Sequence, residues 1–359
     1  MVNFSILFPN GKARQWKVIS AEGETKNAEW IFNTCCTIID EILAVMGPDA
    51  VCAGLIMDNT KANQAAMRKL EAHYPGMLCL GCGSHSLSLV IKKWVKKLPW
   101  LASLYDTCIN ISNLSNGVEA LKAALFESMR TSYNLVRTIC THVDTRFGSK
   151  HFVLRDVQKN YAALQHWAIS PEFRKQLDKT DKPANIEAVY DALNSRDSTL
   201  VEHGQAAAEL IDPPMKVLHE IEGDKPYLSQ MLPILTSLYT GTRKWSEKHP
   251  ELAEPDGNDS GDTANDIAFQ RLLGFNYRPC MAAAFLLDPL NFTKTENGFC
   301  APFAEMEGML SGVNTFAEDA KVCKAAAACH DGSALHCIAI QVHALQTMLN
   351  CKTDKPALM

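Results

Sequence analysis

The sequence predicts an α/β region at the start of the chain, followed by a large helical region. Over the first hundred residues, short apolar runs alternate with segments in which apolar residues recur every three or four positions. That pattern is typical of strands alternating with helices. Between about residues 100 and 250 the strand pattern fades and the helical pattern dominates. We therefore expect an α/β plus α fold.

The first elements are two strands and a helix. Residues 2–8 begin with alternating apolar and polar side chains, Pro9-Asn10-Gly11 is a strong turn signal, and residues 14–20 have the pattern of a return strand. Residues 26–46 carry one apolar helical face, and Gly47-Pro48 is a helix-ending signal. The chain is therefore expected to open on a hairpin that leads into a helix.

The next strand is the one on which the functional argument depends. Residues 51–57 form an uninterrupted apolar run, which predicts a strand covered on both faces, and the run ends abruptly at Asp58-Asn59. The elements expected after it are a helix over about 61–73, a short strand near 77–80 and a helix over about 84–97.

The middle of the chain is predicted to be helical. The expected helices cover residues 101–113, 118–131, 152–167, 186–194, 206–211, 215–221 and 227–244. Asp212-Pro213-Pro214 either kinks one long helix or starts a new one. Residues 254–266 carry five acids and no base, which predicts a flexible solvated loop. The tail after about residue 300 is rich in alanine and cysteine and only weakly patterned.

The composition is that of a globular protein. Of the 359 residues, 47% are hydrophobic and 21% are charged, and the net charge is −5. This charge excludes a surface that is basic throughout, but a local DNA-binding face remains compatible with it. No apolar stretch reaches the ~20 residues that span a bilayer, so we expect no membrane partner. The 13 cysteines are scattered and no secretory signal is recognisable, which favours buried, reduced thiols over disulfides.

Three segments, in this order, resemble motifs of the hAT transposase superfamily. Residues 56–63 resemble the family's strand ending in Thr-Asp-Asn-Ala-x-Asn, and residues 82–89 resemble its Cys-x-x-His-x-Leu-Asn-Leu. Residues 145–149 resemble its Thr-Arg-Trp-x-Ser at the start of a helical insertion. Weaker similarities follow at residues 214–233 and 284–289, so the resemblance covers roughly residues 1–292.

The resemblance implies an RNase H-like mixed sheet that lacks its first strand and is interrupted by a large all-helical insertion. The chain is thus expected to be cut off at its start, because the family's first strand would precede Met1. The implied domains are a partial RNase H-like core over 1–100, a mostly helical insertion over 101–285, and a return segment with a tail over 286–359.

By resemblance, Asp58 is the second of three acids that bind Mg²⁺ or Mn²⁺. Nucleases of this fold use two cations bridged by carboxylates, and such ions prefer oxygen ligands. The end of a buried strand is also where open α/β sheets place their ligand sites. From the residues alone, Asp58 is equally well explained as the cap of the following helix. The first acid is expected on the absent strand, and Glu296, Glu305 and Glu307 are candidates for the third by position only.

His85 is implied to lie near the active site, where an imidazole can donate a hydrogen bond to the scissile phosphate. The alternative is a partly buried histidine at the start of a helix. Cys79, Cys82 and His85 also form a Cys-x-x-Cys-x-x-His pattern. No second pair of ligands follows at finger-like spacing, which argues against structural zinc.

Arg146 matches the family arginine that faces DNA phosphate, a task suited to the fork of donors on its guanidinium. Phe147 replaces the family tryptophan that stacks on an extruded base. The alternative for Arg146 is a surface salt bridge, for example to Asp144.

Four lysines share one side of the helix over 84–97, namely Lys92, Lys93, Lys96 and Lys97. They could follow a phosphate backbone. Cations near a helix C-terminus also suit the helix dipole, which favours the interpretation of a solvated helix end.

Three interpretations follow for the function. The first is a transposase-derived protein with an incomplete nuclease core, catalytically inactive because one assigned acid cannot hold two cations, with residual DNA or protein binding. The second is an active metal-dependent DNA transposase or nuclease whose first strand lies upstream of this sequence. The third is a helical protein-interaction scaffold. DNA as the ancestral partner, a homo-oligomer and nuclear localisation belong to what the resemblance implies.

Overall fold

The computed structural model describes most of the chain up to residue 300, together with Glu305 and Met309. The residues that it does not describe before residue 300 are 9–11, 144–147, 197, 223–226, 255–262, 275, 292 and 296–297. The described part is mostly helical with three two-stranded sheets, so the predicted mixture of α and β elements is confirmed.

The chain divides into two compact units. Of the described residues, the first contains those within 1–86, 221–237 and from 273 onward, and the second contains those within 87–220 and 238–272. The predicted domain boundaries at residues 100 and 285 stay a prediction.

The first unit opens on an antiparallel pair. Strands β1 (Val2–Leu7) and β2 (Ala13–Ile19) pair with Val2 opposite Ile19, as the hairpin prediction requires. The turn predicted at residues 9–11 lies outside the described residues. Helix α1 (Ala28–Met46) begins where the Asn27 side chain accepts a hydrogen bond from the N–H of Trp30. It ends at Gly47, whose φ of 99° favours glycine.

A parallel pair of strands follows, with a helix between them. The elements are β3 (Gly54–Met57), α2 (Lys61–His73), β4 (Leu78–Gly81) and α3 (Gly83–Lys97). Gly54 lies opposite Leu78 at one end of the pair, and Met57 lies opposite Gly81 at the other. The two backbones approach so closely at Gly54 that a Cβ there would lie 2.6 Å from the carbonyl oxygen of Leu78.

The core of this unit lies between the strands and the first two helices. Half-buried side chains of β1 and β3, including Phe4, Leu55 and Met57, pack against this core. Its buried members come from α1, α2 and β4 and the residue before β4: Cys35, Ile39, Met67, Leu70, Met77 and Cys79.

The prediction that residues 51–57 form a strand covered on both faces is wrong. The strand begins only at Gly54, Val51 is 86% exposed, and Ile56 in the middle of β3 is 65% exposed. An apolar run indicates β-propensity, but it does not determine how many layers cover the strand. In the described part of the unit, Leu55 and Met57 pack against the core, and they point to the opposite face from Ile56.

The hairpin and the parallel pair do not hydrogen-bond to each other within the described residues. A single mixed sheet is therefore not formed there, and the RNase H-like arrangement stays a prediction.

Most of the described residues between 99 and 274 are helical. The helices are α4 (Pro99–Gly117), α5 (Glu119–Tyr133), α6 (Ser149–Lys159), α7 (Tyr161–Ala168), α8 (Pro171–Leu177), α9 (Ile186–Asn194), α10 (Leu200–Ile221), α11 (Leu228–Lys248), α12 (Pro250–Ala253), α13 (Ala264–Ala268) and a π-helical segment (Phe269–Gly274). Further elements belong to the first unit: α14 (Pro279–Leu287), a 3₁₀ turn (Pro289–Asn291), β5 (Thr293–Thr295) and β6 (Gly298–Cys300).

The structure corrects one predicted helix and decides between the two alternatives left open at residues 212–214. The helix predicted over 152–167 is interrupted at Asn160, whose side chain donates a hydrogen bond back to the carbonyl of Asp156. The predicted helices 206–211 and 215–221 belong to one continuous helix, α10, with both prolines inside it.

The acidic loop predicted over 254–266 is shorter than expected. Thr263 and Asp266 form a reciprocal capping box that starts α13, so the last residues of the predicted loop are helical. Residues 255–262 lie outside the described part of the chain. Among the described helices, none combines the length and apolar character needed to cross a bilayer.

Candidate functional site

The first two motif segments meet at one edge of the parallel pair. Because Met57 and Gly81 are opposite each other, the residues that follow them, Asp58 and Cys82, leave the sheet side by side at its carboxyl edge. The backbone N–H of Cys82 donates a 2.7 Å hydrogen bond to the carbonyl of Met57. We call Asp58, Asn59, Cys82, His85 and Ser86 the strand-end cluster.

Asp58 is exposed and braces the loop that enters α2. Its Oδ1 accepts hydrogen bonds from the backbone N–H of Thr60 at 3.2 Å and from Nδ2 of Asn63 at 2.5 Å. The cap of α2 is Thr60, whose hydroxyl accepts from the backbone N–H of Asn63, so the alternative that Asp58 itself caps this helix is wrong. The second carboxylate oxygen, Oδ2, accepts no hydrogen bond from the described residues.

Asn59 is buried and ties the two strand ends together. Its Nδ2 donates to the carbonyl oxygen of Cys82 at 2.8 Å and to Oγ of Ser86 at 2.6 Å. Its Oδ1 lies so close to Gly81 that a Cβ on that residue would be only 1.8 Å away. The absence of a side chain at position 81 is thus required by the position of Asn59.

His85 lies in the first turn of α3 and is half-buried. It makes no hydrogen bond or ion pair with the residues that the structure describes. This placement agrees with the alternative of a partly buried histidine at a helix start. It also leaves the imidazole nitrogens without a competing partner within that part of the chain, so the phosphate-binding role stays a prediction.

Cys79 belongs to the core and not to the strand-end cluster. Its thiol is buried against α1 and α2, and burial raises its pKa to about 12, with a smaller contribution from the nearby Glu71 carboxylate. At neutral pH it is therefore a protonated thiol inside the helix-covered core.

The described residues do not fit a two-cation centre. Such a centre needs several carboxylates around one point, and no group of three His, Cys, Asp or Glu side chains that could hold a metal ion occurs among them. Of the candidates for the third acid, Glu305 is exposed, while Glu296 and Glu307 lie outside the described residues.

Arg146 and Phe147 also lie outside the described residues, but the residues on either side of them are tied together. The hydroxyl of Ser149, the last residue of the third motif, donates to the carbonyl of Val143 at 2.8 Å. The same hydroxyl lies 2.7 Å from Nδ1 of His142. Ser149 therefore ties the start of α6 to His142 and Val143, and the DNA contacts of Arg146 and Phe147 stay predictions.

The lysines of α3 differ in their surroundings. Lys92 and Lys96 are exposed, whereas Lys93 is half-buried and donates to Oε1 of Gln270 at 3.1 Å. Lys96 and Lys97 occupy the last turn of the helix. The position of Lys96 and Lys97 suits the helix dipole, and the exposed positions of Lys92 and Lys96 are compatible with phosphate contacts.

The sequence matches no protein-family model, and no curated protein matches it. The hAT resemblance therefore depends on the sequence motifs alone.

Sequence reasoning did not single out Ser86 or Asn276. Ser86 Oγ donates a 3.0 Å hydrogen bond to Oδ1 of Asn276, which extends the strand-end cluster to a residue 190 positions later. Ser86 lies inside the motif segment 82–89, so its position in the motif was a usable signal. Asn276 lies in no motif, and only the folded structure reveals it.

Proposed function

We propose that this chain derives from a hAT transposase, that its RNase H-like core is incomplete and catalytically inactive, and that DNA or protein binding is its remaining function. One observation supports the proposal most directly: Asp58 and the segment from Cys82 to His85 follow the carboxyl ends of two paired parallel strands. This is the edge at which α/β sheets place their ligand sites.

The proposed loss of cleavage follows from the number of ligands. Two-cation phosphoryl chemistry needs carboxylates that bridge both ions, and Asp58 belongs to no group of three possible metal ligands in the described part of the chain. A lone carboxylate does not hold two ions a few ångströms apart. We therefore propose binding without cleavage.

The proposed DNA contacts are electrostatic. The imidazole of His85, the guanidinium of Arg146 and the ammonium groups of Lys92 and Lys96 each suit a phosphate oxygen. Nuclear localisation and a homo-oligomer, both implied by the resemblance, belong to the same proposal.

Binding can be measured by fluorescence anisotropy with a labelled DNA duplex over a series of salt concentrations. We expect the affinity to fall with salt, and the double variant Lys92→Ala/Lys96→Ala to reduce the slope of log K against log[salt] by about 2, since each phosphate contact contributes roughly 0.9. Lys175→Ala/Lys179→Ala, which removes two exposed lysines of the second unit, is the matched control. Equal slopes for the two double variants would remove the lysines from the proposal, and absence of binding at low salt would refute DNA binding itself.

Cleavage and metal binding separate the three interpretations. With supercoiled plasmid and Mg²⁺ or Mn²⁺ we expect no nicking by the wild type. Cleavage that disappears in Asp58→Asn, but persists in the exposed control Asp49→Asn, would establish the active nuclease instead. If calorimetry with Mn²⁺ and anisotropy with DNA both show no binding, the helical scaffold becomes the better interpretation.

A further inference from the structure

A chain of buried hydrogen bonds runs through the strand-end cluster. Nδ2 of Asn59 donates to Oγ of Ser86 at 2.6 Å, and the Ser86 hydroxyl donates in turn to Oδ1 of Asn276 at 3.0 Å. All three residues are buried, at 8%, 2% and 5% exposure respectively. The Ser86 hydroxyl accepts one bond and donates the other, so the chain has a single direction.

The hydrogen bond between Asn59 and Ser86 joins two residues that each directly follow a residue of the proposed site. Asn59 follows Asp58, and Ser86 follows His85. Asn59 also donates to the carbonyl of Cys82, the same carbonyl that accepts the first helical hydrogen bond of α3 from the N–H of Ser86. The amide of Asn59 therefore holds the exit of β3 against the first turn of α3 at two points.

We infer that Asn59, Ser86 and Asn276 are positioning residues, which fix the exit of β3 against the first turn of α3 and thereby set the separation of the Asp58 carboxylate and the His85 imidazole. This inference rests on the proposed function, because that function gives those two groups a common ligand.

Stability alone does not explain why these three buried positions carry polar side chains. A buried amide is stabilising only when its donors and acceptors are paired, and Nδ2 of Asn276 has no partner among the described residues. Apolar side chains of similar size would fill the same space without that penalty. The hydrogen-bonded chain gives these side chains a fixed orientation, because each bond restricts the orientation of the next group.

Gly81 provides a second, independent argument. A methyl group at this position would collide with Oδ1 of Asn59. The substitution Gly81→Ala therefore displaces Asn59 without deleting any polar atom. It should reproduce the effects of Asn59→Ala on His85, which an unspecific loss of one hydrogen bond would not predict.

The first test follows the ring of His85 by NMR and needs no DNA. The ring signals are assigned with His85→Gln and titrated between pH 5 and pH 8. In Asn59→Ala, Ser86→Ala and Gly81→Ala we expect a changed His85 titration curve and about tenfold faster hydrogen exchange at the backbone amide of residue 86, as loss of one buried hydrogen bond implies. The matched control is Asn33→Ala, which truncates an exposed asparagine of α1 and should leave both readouts unchanged.

The second test is a double-mutant cycle on DNA affinity. If Asn59 acts through His85, Asn59→Ala lowers the affinity in the wild type but has no further effect in His85→Ala. Equal losses in both backgrounds, or NMR readouts for all three cluster variants that match Asn33→Ala, would overturn the inference. If the wild type binds no DNA, the proposed function fails, and the NMR titration alone still decides whether Asn59 positions His85.

Discussion

His151 on α6 and Asp212 on α10 are joined by a 2.6 Å hydrogen bond between Nε2 and Oδ1, and the histidine side chain is only 3% exposed. The other ring nitrogen, Nδ1, lies 3.4 Å from the hydroxyl of Tyr105. Because an ionised carboxylate only accepts, Nε2 carries the proton and Nδ1 accepts from the tyrosine. The second unit thus contains a buried neutral histidine on α6 that is hydrogen-bonded to both α10 and α4.

This arrangement predicts that stability falls in mild acid. Burial lowers the pKa of His151 from its ordinary 6.5, against the opposing hydrogen bond and charge of Asp212. The unfolded chain therefore binds more protons than the folded one just below pH 6.5. The free energy of unfolding is therefore highest, as far as His151 is concerned, above pH 6.5. It decreases as the pH falls from there towards the lowered folded-state pKa, by no more than about 1.4 kcal/mol per pH unit.

Urea unfolding at pH 8, 7, 6 and 5 measures this effect. The variant His151→Gln retains a donor for Asp212 but does not titrate, so its stability should depend less on pH. Some dependence should persist, because burial also lowers the pKa of His203. Identical slopes in wild type and variant would show that the protonation of His151 is not coupled to folding.

Trp167 is predicted to be a principal source of stability in the same unit. It is fully buried, packs edge-on against Phe173 with ring centroids 4.8 Å apart, and donates from Nε1 to the carbonyl of Leu121 at 2.8 Å. Trp167→Ala should cost about 3–5 kcal/mol in denaturant unfolding, through the cavity and the orphaned carbonyl. Tyr133→Ala removes an aromatic ring that is 41% exposed and should cost far less. Similar costs for both would contradict this account.

Gly54 is predicted to be indispensable to the parallel strand pair. Any Cβ there would meet the backbone of Leu78, which cannot move aside as the tip of a flexible side chain can. Gly54→Ala should therefore destabilise the first unit by about 1–3 kcal/mol, in the range for overpacking. Gly117→Ala, where a Cβ meets nothing within 4 Å, is the control and should be neutral or slightly stabilising. Circular dichroism during urea titration gives both values.

Ile56 is predicted to tolerate a charge although it lies within an apolar run. With 65% of its surface exposed, Ile56→Lys should change the free energy of unfolding by less than about 0.5 kcal/mol. Leu70→Ala, at a fully buried position of the same unit, should cost about 2–5 kcal/mol. A large cost for Ile56→Lys would indicate that this face is covered in solution.

Much of the fold was predictable because its signals are local. The hairpin strands, the parallel pair and helices such as α2 and α9 follow from apolar periodicity and from helix-ending residues. Helix α8 carried a usable signal that was missed, since Ser170 accepts from the N–H of Phe173 and Pro171 occupies the first turn. Its seven residues were too few to show a convincing period.

Other features had no local signal. The exposure of Ile56 depends on what packs against β3, and the interruption at Asn160 depends on a side chain that bonds its own helix. For the candidate site, sequence reasoning proposed Asp58 and His85, and the structure places Asp58 directly after β3 and His85 in the first turn of the helix that follows β4. Asn276 could not be found, because its contact with Ser86 spans 190 positions.

That long-range contact has a consequence for biosynthesis. A ribosome adds about 5–20 residues per second, so the 190 residues that separate Ser86 from Asn276 take roughly 10–40 seconds to appear. During that interval the Ser86 hydroxyl lacks its acceptor, Asn276, while the long helical stretch emerges. A fragment that ends before residue 276 would lack this acceptor permanently. Fragments of this kind are therefore poor candidates for recombinant production.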